Sequence, residues 1–426
     1  MSSIWPVLPV LLPLIGGIVT LFARLGGLTL QRNVSLTMTV ILLALTVKTF
    51  FIAGAGGHQV YLLGNWLAPF GIVLVLDQLS ALMLVLTAVL ALAALVYAII
   101  QRTDSEGEHF HVLFQIQLFG LNGAFLTGDL FNLFVFFEVL LLASYGLLLH
   151  GGGRLRTKGG LHYVVINLVG SSLFLFAVGT LYGVLGTLNI ADMAAKMAQV
   201  SVEDQGIVAA AGLLLLVVFG IKAAIFPLYL WLPGAYAHTS AAIAALFAIM
   251  TKVGLYAIIR VHGSLFGEQA GALQALHIDL VLWLGMLTLL LAAFARGRGT
   301  FGDRLRSTAP MNSAIFIGSL FMITAIAIVG MPPLSGFFGK VLLLDAALQH
   351  PQLFWIFASV LIGSLLMIMA MARSGSILFY QVDMEAHQNG EALNPKAAVV
   401  VIMLLLLSPA LVITAGPLTA VTDQIA

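Results

Sequence analysis

DLFNLFVFFEVLLLASYGLLL, residues 129–149, holds a carboxylate, Glu138, near the middle of a continuous apolar stretch. An α-helix of these 21 residues is about 32 Å long, which is enough to cross the hydrocarbon core of a bilayer. A charged group at that depth costs about 3 kcal/mol on insertion scales unless it is paired, hydrated or protonated. Ionisable groups inside a membrane usually serve proton or ion movement. A protonated glutamic acid that only joins helices is the alternative.

The whole chain is also strongly apolar. Of its 426 residues, 61% are hydrophobic and only 8% are charged, and the mean hydropathy is +1.10. Soluble domains contain about 25% charged residues, so the sequence predicts an all-α polytopic membrane protein, with 1–426 forming one integral membrane domain. The chain has no cysteine, which excludes disulfides and thiolate metal sites. The first residues lack a basic segment and a cleavage site, and we expect them to form a retained first helix.

Apolar stretches long enough to span the bilayer occur about 12 times. They lie at residues 4–23, 34–54, 76–100, 110–128, 129–149, 161–186, 206–231, 238–262, 276–295, 312–345, 353–380 and 396–416.

Prolines interrupt two of these stretches. Pro227 and Pro233 follow Lys222, whereas Pro332 and Pro333 precede Lys340. Proline removes a backbone hydrogen bond, and a broken helix is tolerated inside a membrane only where protein or water covers the freed backbone groups. Two broken helices in corresponding halves indicate inverted repeats and a transport site. An ordinary proline kink is the alternative for each break taken alone.

The distribution of basic residues predicts the orientation of the chain. If the spans alternate, 12 basic residues lie on one side: Arg24, Arg32, Arg102, Arg154, Arg156, Lys158, Arg296, Arg298, Arg304, Arg306, Arg373 and Lys396. Only Lys48, Lys196 and Arg260 lie towards the other side. The positive-inside rule therefore places the first group in the cytoplasm and both termini outside.

Four ionisable residues remain inside predicted spans: Glu138, Lys222, Lys252 and Lys340. Burial disfavours the charged forms of both residue types, whereas a nearby opposite charge favours them. A group that is balanced between these effects changes its protonation when a neighbour changes charge, as a proton relay requires, and arginine cannot do this. Static ion pairs are the alternative, but three lysines cannot pair one to one with a single glutamate.

Other polar residues lie near the ends of spans. Asp77 and Asp129 are predicted helix caps or entrance groups, and Asp129, His162 and His238 are candidate secondary relay residues. Five further histidines are predicted to be solvated: His109, His111, His150, His262 and His350. There is no Walker loop, dinucleotide fingerprint, metal-binding His/Glu pair or haem-ligand pattern, so the sequence predicts no cofactor and no metal site.

Five stretches resemble a known family: LNGAFLTGDLFNLFVFFEVLLLASYGLLL (121–149), LGNWLAPFGIVLVLD (63–77), FGIKAAIFPLYLWLP (219–233), AAIAALFAIMTKVGLYAIIR (241–260) and GMPPLSGFFGK (330–340). They are similar to the D subunits of Mrp-type cation/proton antiporters. The wider family includes the antiporter-like proton-pumping subunits of respiratory complex I. The resemblance covers nearly the whole chain.

The resemblance implies two inverted five-helix repeats, each with one broken helix. The leading spans would then occupy 1–100, the first repeat 110–262, a shortened second repeat 276–380 and the final span 396–416.

The resemblance also assigns roles to the buried charges. Glu138 and Lys222 would form the first pair, Lys252 would lead inward along the membrane midplane, and Lys340 would serve the second half. It implies a non-enzymatic subunit of a hetero-oligomer in the bacterial cell membrane that exchanges cytoplasmic sodium or potassium for external protons. The alternatives are a proton-pumping membrane subunit of a complex I-like NADH dehydrogenase or membrane-bound hydrogenase, and a scaffold with an inactive channel.

The chain departs from the family in length. The family usually has 14 spans, and the two that are absent here would lie between the stretches 276–295 and 312–345. Either the protein is a natural short form or the sequence lacks an internal piece of a longer one.

Overall fold

The structure is a computed structural model that describes residues 3–298, 313–380, 394–417 and 419. Helices dominate because a backbone inside hydrocarbon must satisfy its hydrogen bonds within its own segment. The first part of the chain forms α1 (Leu8–Ala23), α2 (Leu28–Gly54), α3 (Gln78–Ile100), α4 (Phe110–Leu126), α5 (Leu130–Leu149), α6 (Arg154–Leu185), α7 (Ile190–Met197), α8 (Gln205–Ala223), α9 (Trp231–Ala237) and α10 (Ala241–Ala257). The second part forms α11 (Ile278–Arg298), α12 (Ala314–Val329), α13 (Ser335–Ala346), α14 (Leu353–Gly375) and α15 (Pro395–Ile413).

The prediction of a polytopic all-α protein is confirmed for the described part of the chain, where 10 helices are long and apolar enough to cross a membrane. Two shorter apolar helices, Phe110–Leu126 and Ala314–Val329, lie where two further spans were predicted. Residues 299–312, which include Arg304 and Arg306, lie outside the described residues, as do 381–393.

One small β-hairpin departs from the all-α expectation. β1 (Gln59–Leu62) pairs antiparallel with β2 (Val73–Leu76), with Gln59 opposite Leu76 and Leu62 opposite Val73. The β-branched and aromatic residues in these segments favour strands. The hairpin lies between α2 and α3, and only its last residue, Leu76, falls within a predicted span, so the membrane part of the fold remains all-α.

The chain divides into two compact units, with the boundary between Val281 and Leu282. In the N-terminal unit, α4 packs against α1, α2, α3 and α5, and α6 packs against α5, α8 and α9. Large aromatic side chains fill this core, among them Phe114, Phe125, Phe137 and Phe219. In the C-terminal unit, α12 packs against α14 and α13 packs against α15. The predicted repeat boundaries stay a prediction.

Both predicted helix breaks are present. α8 ends at Ala223, the next residue has a left-handed backbone, and Pro227 separates α8 from α9. α12 ends at Val329 and is separated from α13 by a second left-handed residue and the pair Pro332–Pro333. Pro233 was predicted to lie in the first break, but it lies in the first turn of α9. Proline is tolerated there because the first amide groups of a helix have no intrahelical partner.

Candidate functional site

The helix that carries Glu138 is fixed at its start by Asp129. The Asp129 carboxylate accepts a hydrogen bond from the backbone N–H of Asn132, at 2.8 Å, and so caps α5. Asp77 caps α3 in the same way through the N–H of Ser80, also at 2.8 Å. The prediction of caps is therefore confirmed for both aspartates, because each satisfies an amide group that the helix leaves unpaired.

Glu138 is half-buried on α5 and faces α6. The Ser171 hydroxyl on α6 donates a hydrogen bond to its Oε1 atom. Lys222, in the last turn of α8, is only 7% exposed, and its Nζ donates to Asn167 Oδ1 at 3.1 Å. Asn167 and Ser171 are four residues apart, so they lie on the same face of α6. One helix therefore presents a polar partner to each of the two buried charges.

The resemblance implies that Glu138 and Lys222 form the first pair, and that role stays a prediction. Within the described residues the two side chains are not joined by an ion pair, and each instead binds its own partner on α6. The Lys222 Nζ also lies 5.6 Å from the centroid of the Phe137 ring. Phe137 directly precedes Glu138, so the two charged side chains lie close to the same part of α5.

A small cavity of about 10 Å³ lies beside Lys222, which is roughly the space that one water molecule needs. It is lined by Phe137, Leu140, Tyr163, Asn167, Lys222, Trp231, Met250 and Val253. The Tyr163 hydroxyl in its wall lies 2.8 Å from Ser144 Oγ. The Ile221 carbonyl accepts a hydrogen bond from the backbone N–H of Ala224 at 3.2 Å, and the Trp231 indole donates a second one at 3.0 Å, so a residue after the break also binds the end of α8.

The other two predicted lysines lie elsewhere. Lys252 on α10 is exposed and does not line this cavity, and its Nζ lies 3.4 Å from Thr251 Oγ1. Lys340 on α13 is part-buried in the C-terminal unit, where it donates to the carbonyl of Val329 and to Ser364 Oγ. The structure therefore groups Glu138 and Lys222 around α6. The relay roles of all four residues stay predictions.

The candidate secondary relay residues are not brought together. His162 is exposed on α6, and Asp129 is used as a cap. His238 follows α9, and its backbone carbonyl accepts a hydrogen bond from Arg156 Nε at 3.0 Å. A relay role for each of them also stays a prediction.

Three of the histidines that were predicted to be solvated are buried. His111, His150 and His262 are 2%, 9% and 1% exposed, whereas His109 is exposed as expected. Each buried ring binds an acceptor: His111 Nε2 lies 3.1 Å from Asp104 Oδ2, and His262 Nε2 donates to the carbonyl of Gly212 at 2.9 Å. The prediction was wrong because closeness to a span end does not show which way a side chain points.

An acidic loop at residues 103–109 was not predicted from the sequence. Its carboxylates Asp104, Glu106 and Glu108 pair with Arg32, Arg156 and Arg24, which come from three different helix ends. Burial raises the pKa of Asp104, but hydrogen bonds from His111 and Arg32 outweigh it and hold that pKa below its usual value. The alternation of acids in TDSEGEH was the available signal, although it does not identify partners that are 50–84 residues away.

Comparison with known proteins supports the resemblance over most of the chain. Residues 127–298 and 303–367 match the family described as NADH:quinone oxidoreductase/Mrp antiporter, TM. The D subunit of the probable K(+)/H(+) antiporter of Rhizobium meliloti is 47% identical over 323 residues, which cover 73% of this chain and 60% of that relative. The D subunit of the Na(+)/H(+) antiporter of Bacillus subtilis is 34% identical over 94% of this chain and 92% of its own length.

Three solved structures share the fold. A chain of the archaeal membrane-bound sulfane sulfur reductase has a TM-score of 0.87 at 22% identity and covers 99% of this chain and 97% of its own. A chain of the Mrp complex from Dietzia sp. DQ12-45-1b has a TM-score of 0.79 at 24% identity, with 98% and 95% coverage. A chain of respiratory complex I from Thermus thermophilus has a TM-score of 0.76 at 22% identity, with 96% coverage of both chains.

The same comparisons bear on the shortness of the chain. The alignment with the Bacillus subtilis relative runs over 467 positions, which exceeds the 426 residues of this chain, so that relative carries residues that have no counterpart here. The family match, the relatives and the shared fold agree nevertheless. The chain belongs to the NADH:quinone oxidoreductase/Mrp antiporter transmembrane family.

Proposed function

We propose that this chain is a subunit of a multisubunit monovalent cation/proton antiporter, in which Glu138 and Lys222 carry protons through the first half of the membrane domain. The observation that carries the proposal is the arrangement on α6, where Asn167 binds Lys222 and Ser171 binds Glu138 one helical turn apart. Neutral partners leave both groups free to change charge, whereas a closed ion pair would favour one charged state of each.

Glu138 and Lys222 bind residues of α6 that are one helical turn apart, so their charges are close enough to influence each other. A change in the charge of Glu138 is therefore expected to alter the release of a proton by Lys222. The cavity beside Lys222 offers the space through which a water molecule would receive that proton.

The names of the relatives favour exchange over redox-driven pumping. The two relatives that are 34% and 47% identical are named for Na(+)/H(+) and K(+)/H(+) antiport. The respiratory complexes that share the fold are only 22% identical, and at that level the likeness concerns the fold. We therefore propose sodium or potassium as the exchanged cation and other antiporter subunits as partners.

The proposed orientation has both termini on the external face of a bacterial cell membrane. Each of five ion pairs in the described part of the chain joins two residues that the alternation of spans puts on the same side, and the positive-inside rule then selects the orientation. Arg24, Arg32 and Arg156 bind acids of the 103–109 loop on the cytoplasmic side. On the external side, Lys196 pairs with Asp192 and Arg260 pairs with Asp77.

Glu138→Gln tests the proposal, because it keeps the shape of the side chain and removes its titratable charge. The complex is expressed in an antiporter-deficient bacterium, and proton movement in everted vesicles is followed with a pH-sensitive dye after sodium or potassium is added. We expect normal assembly and a loss of about 100-fold or more in exchange. Glu203→Gln, the same substitution on an exposed residue, is the matched control.

Two outcomes would contradict the proposal. Wild-type exchange by a normally assembled Glu138→Gln complex would remove Glu138 from the pathway. Proton movement that appears only when an electron donor such as NADH is supplied would favour the redox-complex alternative.

A further inference from the structure

The guanidinium of Arg156 joins three separate segments at the predicted cytoplasmic ends of the helices. Its Nη1 donates to Glu106 Oε2 at 3.1 Å and to the backbone carbonyl of His150. Its Nε donates to the carbonyl of His238 at 3.0 Å. The side chain is only 19% exposed. One arginine at the start of α6 therefore binds the acidic loop, the end of α5 and the junction between α9 and α10.

The backbone packs tightly against this contact. Gly151 has φ +83°, and a Cβ atom there would overlap both Glu106 Oε2 and Arg156 Nη1. The loop after α5 therefore closes directly over the ion pair. An exposed surface pair between long, mobile side chains contributes little to stability. Here Glu106 is exposed, but Arg156 is largely buried and also donates to two backbone carbonyls, which holds its guanidinium in place.

A short chain of contacts leads from Arg156 to Lys222. His238 directly follows α9, a seven-residue helix about 10 Å long. At the other end of α9, the Trp231 indole donates to the carbonyl of Ile221, the residue before Lys222, at 3.0 Å. Tyr236 OH donates to the carbonyl of Phe247 at 2.6 Å and fixes α9 against α10. A shift of the His238 end would therefore move Trp231, which lines the cavity beside Lys222.

We propose that Arg156 is a positioning residue that holds α9 in place and so controls access from the cytoplasmic side to the cavity beside Lys222. The consequence for exchange rests on the proposed antiporter function, whereas the consequence for access does not. The contact that matters in this proposal is the bond from Nε to the His238 carbonyl, because it connects the loop network to the broken helix.

Three variants separate this contact from simple charge pairing. Arg156→Gln removes both the charge and the fork of donors. Arg156→Lys keeps the charge but has one nitrogen, which cannot reach Glu106 and the His238 carbonyl as the two nitrogens of arginine do. Glu108→Gln is the matched control. Glu108 lies in the same acidic loop as Glu106 but pairs with Arg24, so its substitution leaves the bond from Arg156 to His238 in place.

Access is measured by cysteine labelling, for which the cysteine-free chain is a clean background. Val253→Cys places a thiol in the wall of the cavity. A membrane-impermeant methanethiosulfonate reagent is added to everted vesicles, which expose the cytoplasmic face, and exchange is measured in the same preparations. Labelling of Val253→Cys without any second substitution sets the reference rate.

We expect Arg156→Gln and Arg156→Lys to speed labelling about 10-fold and to slow exchange by a similar factor, while Glu108→Gln behaves like the reference. Reference-rate labelling in assembled Arg156→Gln would overturn the proposal. Recovery of both properties by Arg156→Lys would also overturn it, since charge alone would then suffice. Faster labelling in a complex whose wild type exchanges no cations would support the positioning role and contradict the proposed function.

Discussion

The two broken helices of this chain each combine a lysine with a proline-containing break, but the two lysines have different surroundings. In the N-terminal unit, Lys222 lies before the break, in the last turn of α8, and its Nζ binds the side chain of Asn167. In the C-terminal unit, Lys340 lies after the break, on α13, and its Nζ binds the main-chain carbonyl of Val329, the last residue of α12. Each helix is followed directly by a residue with a left-handed backbone, Ala224 after α8 and Gly330 after α12.

The carbonyl groups at the two helix ends have different partners. At the first break the carbonyl of Ile221 accepts hydrogen bonds from the neutral indole of Trp231 and from the backbone N–H of Ala224. At the second break the lysine itself donates to the last carbonyl of α12. The helix dipole favours a positive charge at both breaks, since Lys222 lies in the last turn of α8, but Lys340 binds a main-chain carbonyl of the broken helix whereas Lys222 binds a side chain.

The two lysines also differ in burial. Lys222 is 7% exposed and lies against Phe137, whereas Lys340 is part-buried and α13 has no fully buried residue in the described structure. A group whose charge is hard to solvate and which binds no helix-end carbonyl is the better proton carrier. We therefore expect a substitution that prevents release of the proton to reduce cation/proton exchange far more at Lys222 than at Lys340.

The largest expected effect is that of Lys222→Arg. Arginine keeps the positive charge but does not release its proton, so a static counter-ion would tolerate the change and a relay would not. We expect an assembled complex whose exchange falls about 100-fold or more. Exchange is measured in vesicles across the working pH range, with the amount of assembled complex determined in the same membranes. A wild-type rate would make Lys222 a counter-ion only.

Lys340→Arg is the matched substitution at the second break, and we expect a smaller loss. The guanidinium can still donate to the Val329 carbonyl and keeps the charge at the helix end, so exchange should fall by about threefold or less. Lys340→Met removes the donor and should cost about 10-fold, in line with one lost hydrogen bond to a buried carbonyl. Equal losses for Lys222→Arg and Lys340→Arg, in the same vesicle assay, would show that the two breaks work alike.

The sequence predicts the spans and the two breaks well, because length, hydropathy and proline are properties of continuous segments. Glu138 and Lys222 were found in the same way, as charges within apolar stretches. The sequence could not predict which side of each helix packs against its neighbours. These helices are apolar on nearly all sides, so the 3.6-residue pattern that marks the inner face of a soluble helix is weak.

The role of α6 illustrates that limit. Asn167 and Ser171 stood out in the sequence only as polar residues of one span, and nothing local connected them to Lys222 or Glu138, which are 55 and 33 residues away. The arginine partners of the acidic loop were hidden for the same reason. Contacts between distant segments depend on how the helices pack, and only the structure supplies that.

The smallest expected effects concern the left-handed residues that end the two helices. Gly330 has φ +70°, and a Cβ atom there would lie 2.8 Å from both the Gly336 carbonyl and Lys340 Cε. Ala224 has φ +55°, which costs an L-residue about 1 kcal/mol. We therefore expect Gly330→Ala to lower the melting temperature of the purified complex by a few degrees, and Ala224→Gly to leave it unchanged or raise it slightly.

The opposite signs make this pair informative. Gly330→Ala adds strain and pushes on the side chain that supports the second break, whereas Ala224→Gly removes strain without a new contact. Exchange by Ala224→Gly should stay within about twofold of the wild type if the relieved strain is not used by the first break. A clear loss of exchange in a stable Ala224→Gly complex would mean that the strained alanine holds Lys222 in its working position. In that case the first break, and not only its lysine, would be specialised for proton transfer.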